Sequence, residues 1–206
     1  MPRKNDPAGT VEKILDISGA LFMEKGYEQT TMQDIVDKLG MSKGAIFHHF
    51  KSKEDVMDGV IQRMIDGIVE QVNAIAEDSA RTVNEKMRDA ILSMNISVGQ
   101  GQAVIAELHK PTNAQMHQTV ITKTIQSVTP ILAKIVEQGV SEGIYSTPYP
   151  RETIEFLFAA NQVILDSGIF SWNQEELTAH ALCFIRMMEL SLGATEGSFS
   201  FLLDSI

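Results

Sequence analysis

Apolar positions recur at helical spacing along most of the chain, and the breaks between runs carry capping residues or glycine. Ile14, Leu15, Ile17, Ala20, Leu21 and Phe22 form one inward face and stop before Gly26, which predicts a helix over residues 10–25. Ile35, Val36 and Leu39 form a second, shorter face. Thr30 or Thr31 can cap it, Gln33 and Asp34 stand in capping-box positions, and Gly40 ends it. Ser42 can cap a third helix from residue 43 to about 47. Beyond Ser52, with Glu54 and Asp55 in the first turn, apolar residues from Val56 to Ala76 keep the same period and predict a long connecting helix. Further helices are predicted over residues 82–98, 103–109 and 114–142, and Pro130 is expected to kink or break the last near residues 126–130. The segments FLFAANQVIL (156–165) and ALCFIRMMELSL (181–192) are apolar nearly all round, the second introduced by Asn173 and Glu176 as a capping pair. The predicted class is all-α, with an N-terminal three-helix domain over residues 1–54 joined through a long helix to a helical domain over residues 55–206.

One apolar stripe is enough to build a monomer's core. Two neighbouring helices with apolar residues on both sides require a second surface to cover, most simply the same helices of another copy in a four-helix contact. Leu157, Ile164, Leu165, Leu182, Ile185 and Met188 are the residues expected to make a homodimer interface.

Charge separates the two regions. The 206-residue chain has a net charge of -10, yet residues 1–53 carry eight Lys and Arg against seven Asp and Glu, so the excess acid lies beyond them. Residues 38–53 hold four lysines and two histidines with no carboxylate, a local positive field within an acidic protein. This is also where the helix, glycine stop and second short helix form a helix-turn-helix, a motif that places its second helix in the DNA major groove. Ser42, Lys43 and Gly44 are small, polar or cationic, so the start of that helix can approach a phosphate or base edge closely. Thr31, Phe47, His48, Lys51 and Lys53 complete the candidate DNA-contacting set.

The run GMSKGAIFHHFKSKEDV, preceded by FMEKGYEQTTMQDIVDKLG, resembles the pattern of TetR-family (tetracycline-repressor-type) bacterial transcription regulators over residues 10–56. Phe47 stands where the family commonly has a tyrosine whose hydroxyl bonds a phosphate, and Val36 and Leu39 replace smaller apolar residues. The resemblance implies that Lys53 matches the family's lysine at the next helix start, that His49 matches a structural histidine, and that the last two long helices form a dimer contact. It further implies a repressor released from a palindromic double-stranded DNA operator by a small-molecule effector. The alternative on the same fold is a coactivator that binds protein instead of DNA, whose motif surface is expected to lose basic residues; Lys43, Lys51 and Lys53 argue against it.

A mostly apolar effector is expected among Met87, Ile91, Met94, Phe156 and Trp172, with His109, His117 and Asn161 as polar handles. Any one of these residues taken alone reads first as ordinary core. No cofactor or metal is expected: His109 and His117 are separated by Pro111 and lack a third ligand in the sequence. Cys183, the only cysteine, reads as a buried small hydrophobe and excludes an intrachain disulfide. No nucleophile elbow, phosphate loop or HExxH pair points to an enzyme. The N-terminus lacks a signal-peptide apolar region and no run is apolar enough to span a membrane, so a cytoplasmic protein is expected.

Overall fold

A computed structural model describes residues 7–94 and 108–205, and among them the regular structure is helical throughout. The α-helices are α1 (Pro7–Lys25), α2 (Met32–Leu39), α3 (Lys43–His49), α4 (Lys53–Glu77), α5 (Val83–Ser93), α6 (Ala114–Ser141), α7 (Pro150–Ile164) and α8 (Gln174–Leu192). Short 3-10 turns lie at Pro111–Asn113 and Ser200–Ser205. The predicted helix at 103–109 and the end of that at 82–98 fall largely outside the described residues. No described helix is long and apolar enough to cross a membrane.

The chain forms two compact units. The first comprises residues 1–64 with 99–120, and the second residues 65–98 with 121–206. This partition differs from a cut after residue 54: the first turns of α4 belong with the N-terminal helices, and so does the segment entering α6.

In the first unit, Ile14, Val36 and Ile46 form a buried cluster under α2 and α3, with Met32, Leu39, Met41 and Phe50 packed against it. Arg63 of α4 reaches both Glu12 (3.0 Å) and Asp16 (2.8 Å) of α1, tying those helices on the solvent side. In the second unit a larger cluster joins Val72, Met87, Val128, Leu132, Val136, Leu157, Phe158, Ile185, Met188, Leu192 and Phe199. Two polar groups at its border are satisfied across helices: the buried Lys86 ammonium donates to Gln138 (3.0 Å), and the Tyr145 hydroxyl to Asn84 (3.2 Å). Burial pushes the Tyr145 phenol up to about 12, so it remains a neutral donor.

Several expectations are corrected. Of the kink or break expected at Pro130, the break does not occur: α6 is continuous from Ala114 to Ser141 with Pro130 inside it. Pro130 is exposed, where the ring meets solvent instead of a packed neighbour, and the Thr129 hydroxyl back-bonds to the Ile125 carbonyl (2.8 Å). Cys183 is exposed, because α8 buries Ala181, Ile185, Met188 and Leu192 and turns residue 183 away from them. The same periodicity divides the expected dimer set. Leu157, Ile185 and Met188 pack into their own chain's core, Leu165 is half-buried, and Ile164 and Leu182 are exposed.

Candidate nucleic-acid interface

The geometry of α2 and α3 follows from local chemistry. Thr31, in extended conformation, accepts from the Asp34 amide (3.1 Å), while the Asp34 carboxylate accepts from the Thr31 amide (2.7 Å) and hydroxyl (2.6 Å). This closed capping box satisfies donors that a helix start otherwise leaves open. Lys25, from the end of α1, adds an ion pair to the same carboxylate at 2.8 Å. The Lys25 hydrogen bond first, and those from Thr31 next, hold the Asp34 carboxyl far below the usual carboxylate range. Thr31 is the cap; Thr30 is buried and donates its hydroxyl to the Gly26 carbonyl (2.8 Å).

α2 ends at Gly40, whose φ of 62° lies in the left-handed region, and its N–H bonds back to Val36 and Asp37. The chain then turns into α3, where the Ser42 side chain accepts from the Ala45 amide (3.3 Å). Ser42, Lys43 and Gly44 are exposed, and a Cβ placed on Gly44 meets nothing within 4 Å. The start of α3 is therefore open to close approach by a large partner. Ile46 faces the opposite way and is fully buried, which anchors the helix beneath that surface.

The remaining candidates divide by what already holds them. The Lys43 ammonium lies over the Phe47 ring, 5.4 Å from its centroid, and stays exposed. Lys51 donates to the Phe47 carbonyl (2.7 Å), closing the end of α3, while its amide bonds to Asp55 (2.9 Å). His48 is exposed and meets the half-buried His49 edge to face at 5.2 Å. Lys53 departs from the expected phosphate role. Its ammonium donates to the Tyr27 carbonyl (2.9 Å) and the Glu28 carbonyl (3.4 Å) and sits 4.3 Å from the Tyr27 ring centroid, so it braces the turn before α2.

That turn has a further support that sequence reasoning missed. The Tyr27 amide donates to the side chain of Asn113, and the Glu28 amide to the Thr112 carbonyl (3.0 Å). Gly26, at φ 89°, lies against Thr112 so closely that a Cβ there meets the Thr112 hydroxyl at 2.8 Å. Only the GY pair hints at this from sequence; its partner lies 86 residues away.

The expected effector residues fall in both units. Met87 is in the core of the second unit, with Ile91 and Met94 packed against it. Trp172 stacks between Phe170 (5.2 Å) and His180 (4.1 Å) and donates to the Ile164 carbonyl (2.8 Å). Asn161 is half-buried on α7, and Phe156 is 78% exposed, on the outer side of that helix. His109 and His117 belong to the first unit, where their rings approach to 4.9 Å despite the intervening Pro111.

Residues 14–60 match the family described as bacterial regulatory proteins, tetR family, and residues 95–187 match the tetracyclin repressor-like C-terminal domain. The HTH-type transcriptional repressor KstR2 of Rhodococcus jostii is 26% identical over 141 residues, spanning 67% of this chain and 69% of that protein. The KstR2 of Mycolicibacterium smegmatis is 31% identical over 83 residues, 40% of each chain. Among solved structures, the fatty acid degradation regulator FadR from Bacillus halodurans aligns with a TM-score of 0.62 at 18% identity, over 94% of this chain and 99% of that one. A SmeT–triclosan complex aligns with the same score and identity over 93% and 94%.

Proposed function

The chain belongs to the tetR family of bacterial regulatory proteins, DNA-binding transcriptional regulators, and from that premise we propose that it is a dimeric repressor released from a palindromic operator by a small molecule. The observation that carries the reading is the start of α3: exposed Ser42, Lys43 and Gly44 over a buried Ile46, with open space around Gly44. Backbone N–H groups and an ammonium can reach phosphate there, and the Ala45 and Phe47 positions can follow into the major groove. In this reading Lys43 supplies a phosphate contact, with Lys51 and His48 beside it. Lys53 acts one step back, by fixing the turn that orients α2.

The second copy docks on the outward faces of α7 and α8. Phe156, Leu182, Met187 and Leu190 form apolar surface that the chain's own core leaves uncovered, and they replace Leu157, Ile185 and Met188 as the contacting residues. Two α3 helices brought about 34–36 Å apart match successive major grooves on one side of a duplex. The effector is mostly apolar and binds among the helices of the second unit, whose core is aliphatic, methionine and aromatic; triclosan, held by the SmeT neighbour, is a molecule of that character. Binding that favours a different spacing of the reading heads lowers operator affinity.

The experiment is a titration of full-length protein with a duplex enriched by this protein from a randomised pool, at two salt concentrations, for wild type and Lys43→Ala. Lys43→Ala is expected to weaken binding and to reduce the slope of log affinity on log salt by about 0.9, the value for one phosphate contact. Unchanged affinity and slope overturn the assignment of Lys43. Failure to enrich any duplex overturns the reading as a whole.

A further inference from the structure

We infer that Asn113 is a positioning residue for DNA reading: its buried side chain, with the Thr112 carbonyl, sets the turn between α1 and α2 and thereby the attitude of α2 and α3. The inference rests on the DNA-reading proposal above and adds the element that controls it.

The turn at Tyr27 and Glu28 is held from outside. Its two amides go to Asn113 and to the Thr112 carbonyl, and its two carbonyls accept from Lys53. The chain on the far side of the turn is held as well: Thr30 returns its amide (3.1 Å) and its hydroxyl (2.8 Å) to the Gly26 carbonyl, and the capping box of α2 begins at the next residue. Any displacement of residues 112–113 is therefore delivered to the start of α2 through a short, fully bonded path. Asn113 is wholly buried, so water cannot replace its oxygen at the Tyr27 amide. The Gly26 contact with Thr112 leaves no slack for the segment to slide.

The same residues lead into α6. The turn at Pro111–Asn113 runs directly into that helix, which begins in the first unit and from residue 121 belongs to the second. A latch on the reading head thus lies at the N-terminal end of α6, which, like α4, has residues in both units. A shift of α6 along its own axis is carried through the chain to Asn113 and so to the turn that Asn113 holds. Conversely, a head fixed on DNA tightens the latch, because coupling between two events is reciprocal.

Amide exchange of full-length protein, read at Tyr27 and Glu28 with and without the enriched duplex, tests this. Both amides are expected to exchange about tenfold or more slowly on the duplex, beyond any change at Met87, a core residue remote in sequence from the turn. Asn113→Leu, similar in size but lacking the acceptor, is expected to weaken duplex binding about tenfold, and Asn113→Asp, which keeps an acceptor oxygen but buries a carboxyl, to recover part of that loss. A folded Asn113→Leu variant with wild-type affinity overturns the inference, as does Tyr27 exchange indifferent to duplex. If the substitutions prevent folding, the wild-type exchange result decides alone. Enrichment of a duplex followed by unchanged exchange rejects the latch and leaves DNA reading standing; no enrichment rejects both.

Discussion

The recognition surface and the outer faces of α7 and α8 are both exposed, but they are held in opposite ways. Behind α2 and α3 lie buried apolar residues such as Ile14, Ile35, Val36 and Ile46, and directed bonds add to their orientation: the Thr31–Asp34 box, the Lys25 ion pair, and the Lys53 and Asn113 contacts at the preceding turn. Beneath α7 and α8 lies the large cluster of the second unit, and their outward residues include the exposed apolar Phe156, Leu182, Met187 and Leu190 beside charged pairs such as Arg151–Glu155 (2.8 Å). Directed bonds fix an angle and can be reset by charge or by one displaced partner. Packed aliphatic side chains give more stability and less angular definition. A reading head needs the first property, and a face that meets another copy of itself can work with the second.

The comparison breaks most readily in the second unit. Leu132 is wholly buried between α6 and its neighbours, so Leu132→Ala is expected to cost about 2–5 kcal/mol. Trp172, the only tryptophan, belongs to this unit and reports its urea transition by fluorescence. A shift in midpoint corresponding to less than about 1 kcal/mol shows that the site collapses around the deletion and that packing is not what holds these helices.

A smaller effect is expected on the outer face. Leu190 is 66% exposed, so Leu190→Glu leaves the chain's own core intact while placing a charge on the face proposed to meet the second copy. Sedimentation at micromolar concentration is expected to show a wild-type dimer and a folded, predominantly monomeric variant. Dimerisation weakened by less than about tenfold, equivalent to ~1.4 kcal/mol, places the contact elsewhere, and a monomeric wild type removes it altogether.

How much of this was legible depends on the distance over which each feature is determined. The caps at Thr31, Ser42 and Asn173 and the stop at Gly40 are written within four residues of where they act, and the structure has each of them. The two-sided character of residues 156–165 and 181–192 was visible as composition, but which side faces inward depends on how α7 and α8 pack with the rest of the unit. Phe156 and Leu157 are neighbours about 100° apart around the helix, and composition does not say which one the core takes. Lys53 was placed on phosphate because of its company in the sequence; its actual partners are the carbonyls of Tyr27 and Glu28, more than twenty residues earlier. Asn113 had no local signal of any kind. The candidate site was legible where local chemistry builds it and illegible where a distant segment braces it.

The smallest expected effect tests whether directed bonds govern the head, and it appears in acid. The Lys25 ammonium and the Thr31 donors depress the folded-state affinity of Asp34 for a proton below that of the unfolded chain, where an Asp titrates near 3.9. A carboxyl depressed by folding contributes fully above the unfolded value and loses that contribution as pH falls below it towards the folded value. The head is therefore indifferent to pH between about 5 and 7 on this account, and α2 loosens from about pH 4 downward. Amide exchange in α2, corrected for its intrinsic pH dependence, measures the loosening directly. Asp34→Asn is expected to flatten the acid slope, because no proton is then taken up on opening. Thr31→Ala removes the cap's acceptor and is expected to cost α2 about 0.5–2 kcal/mol at neutral pH, while Lys25 still depresses Asp34 and preserves part of the slope. An acid slope unchanged in Asp34→Asn shows that the loosening does not arise at the Thr31–Asp34 box and takes control of the head away from the start of α2.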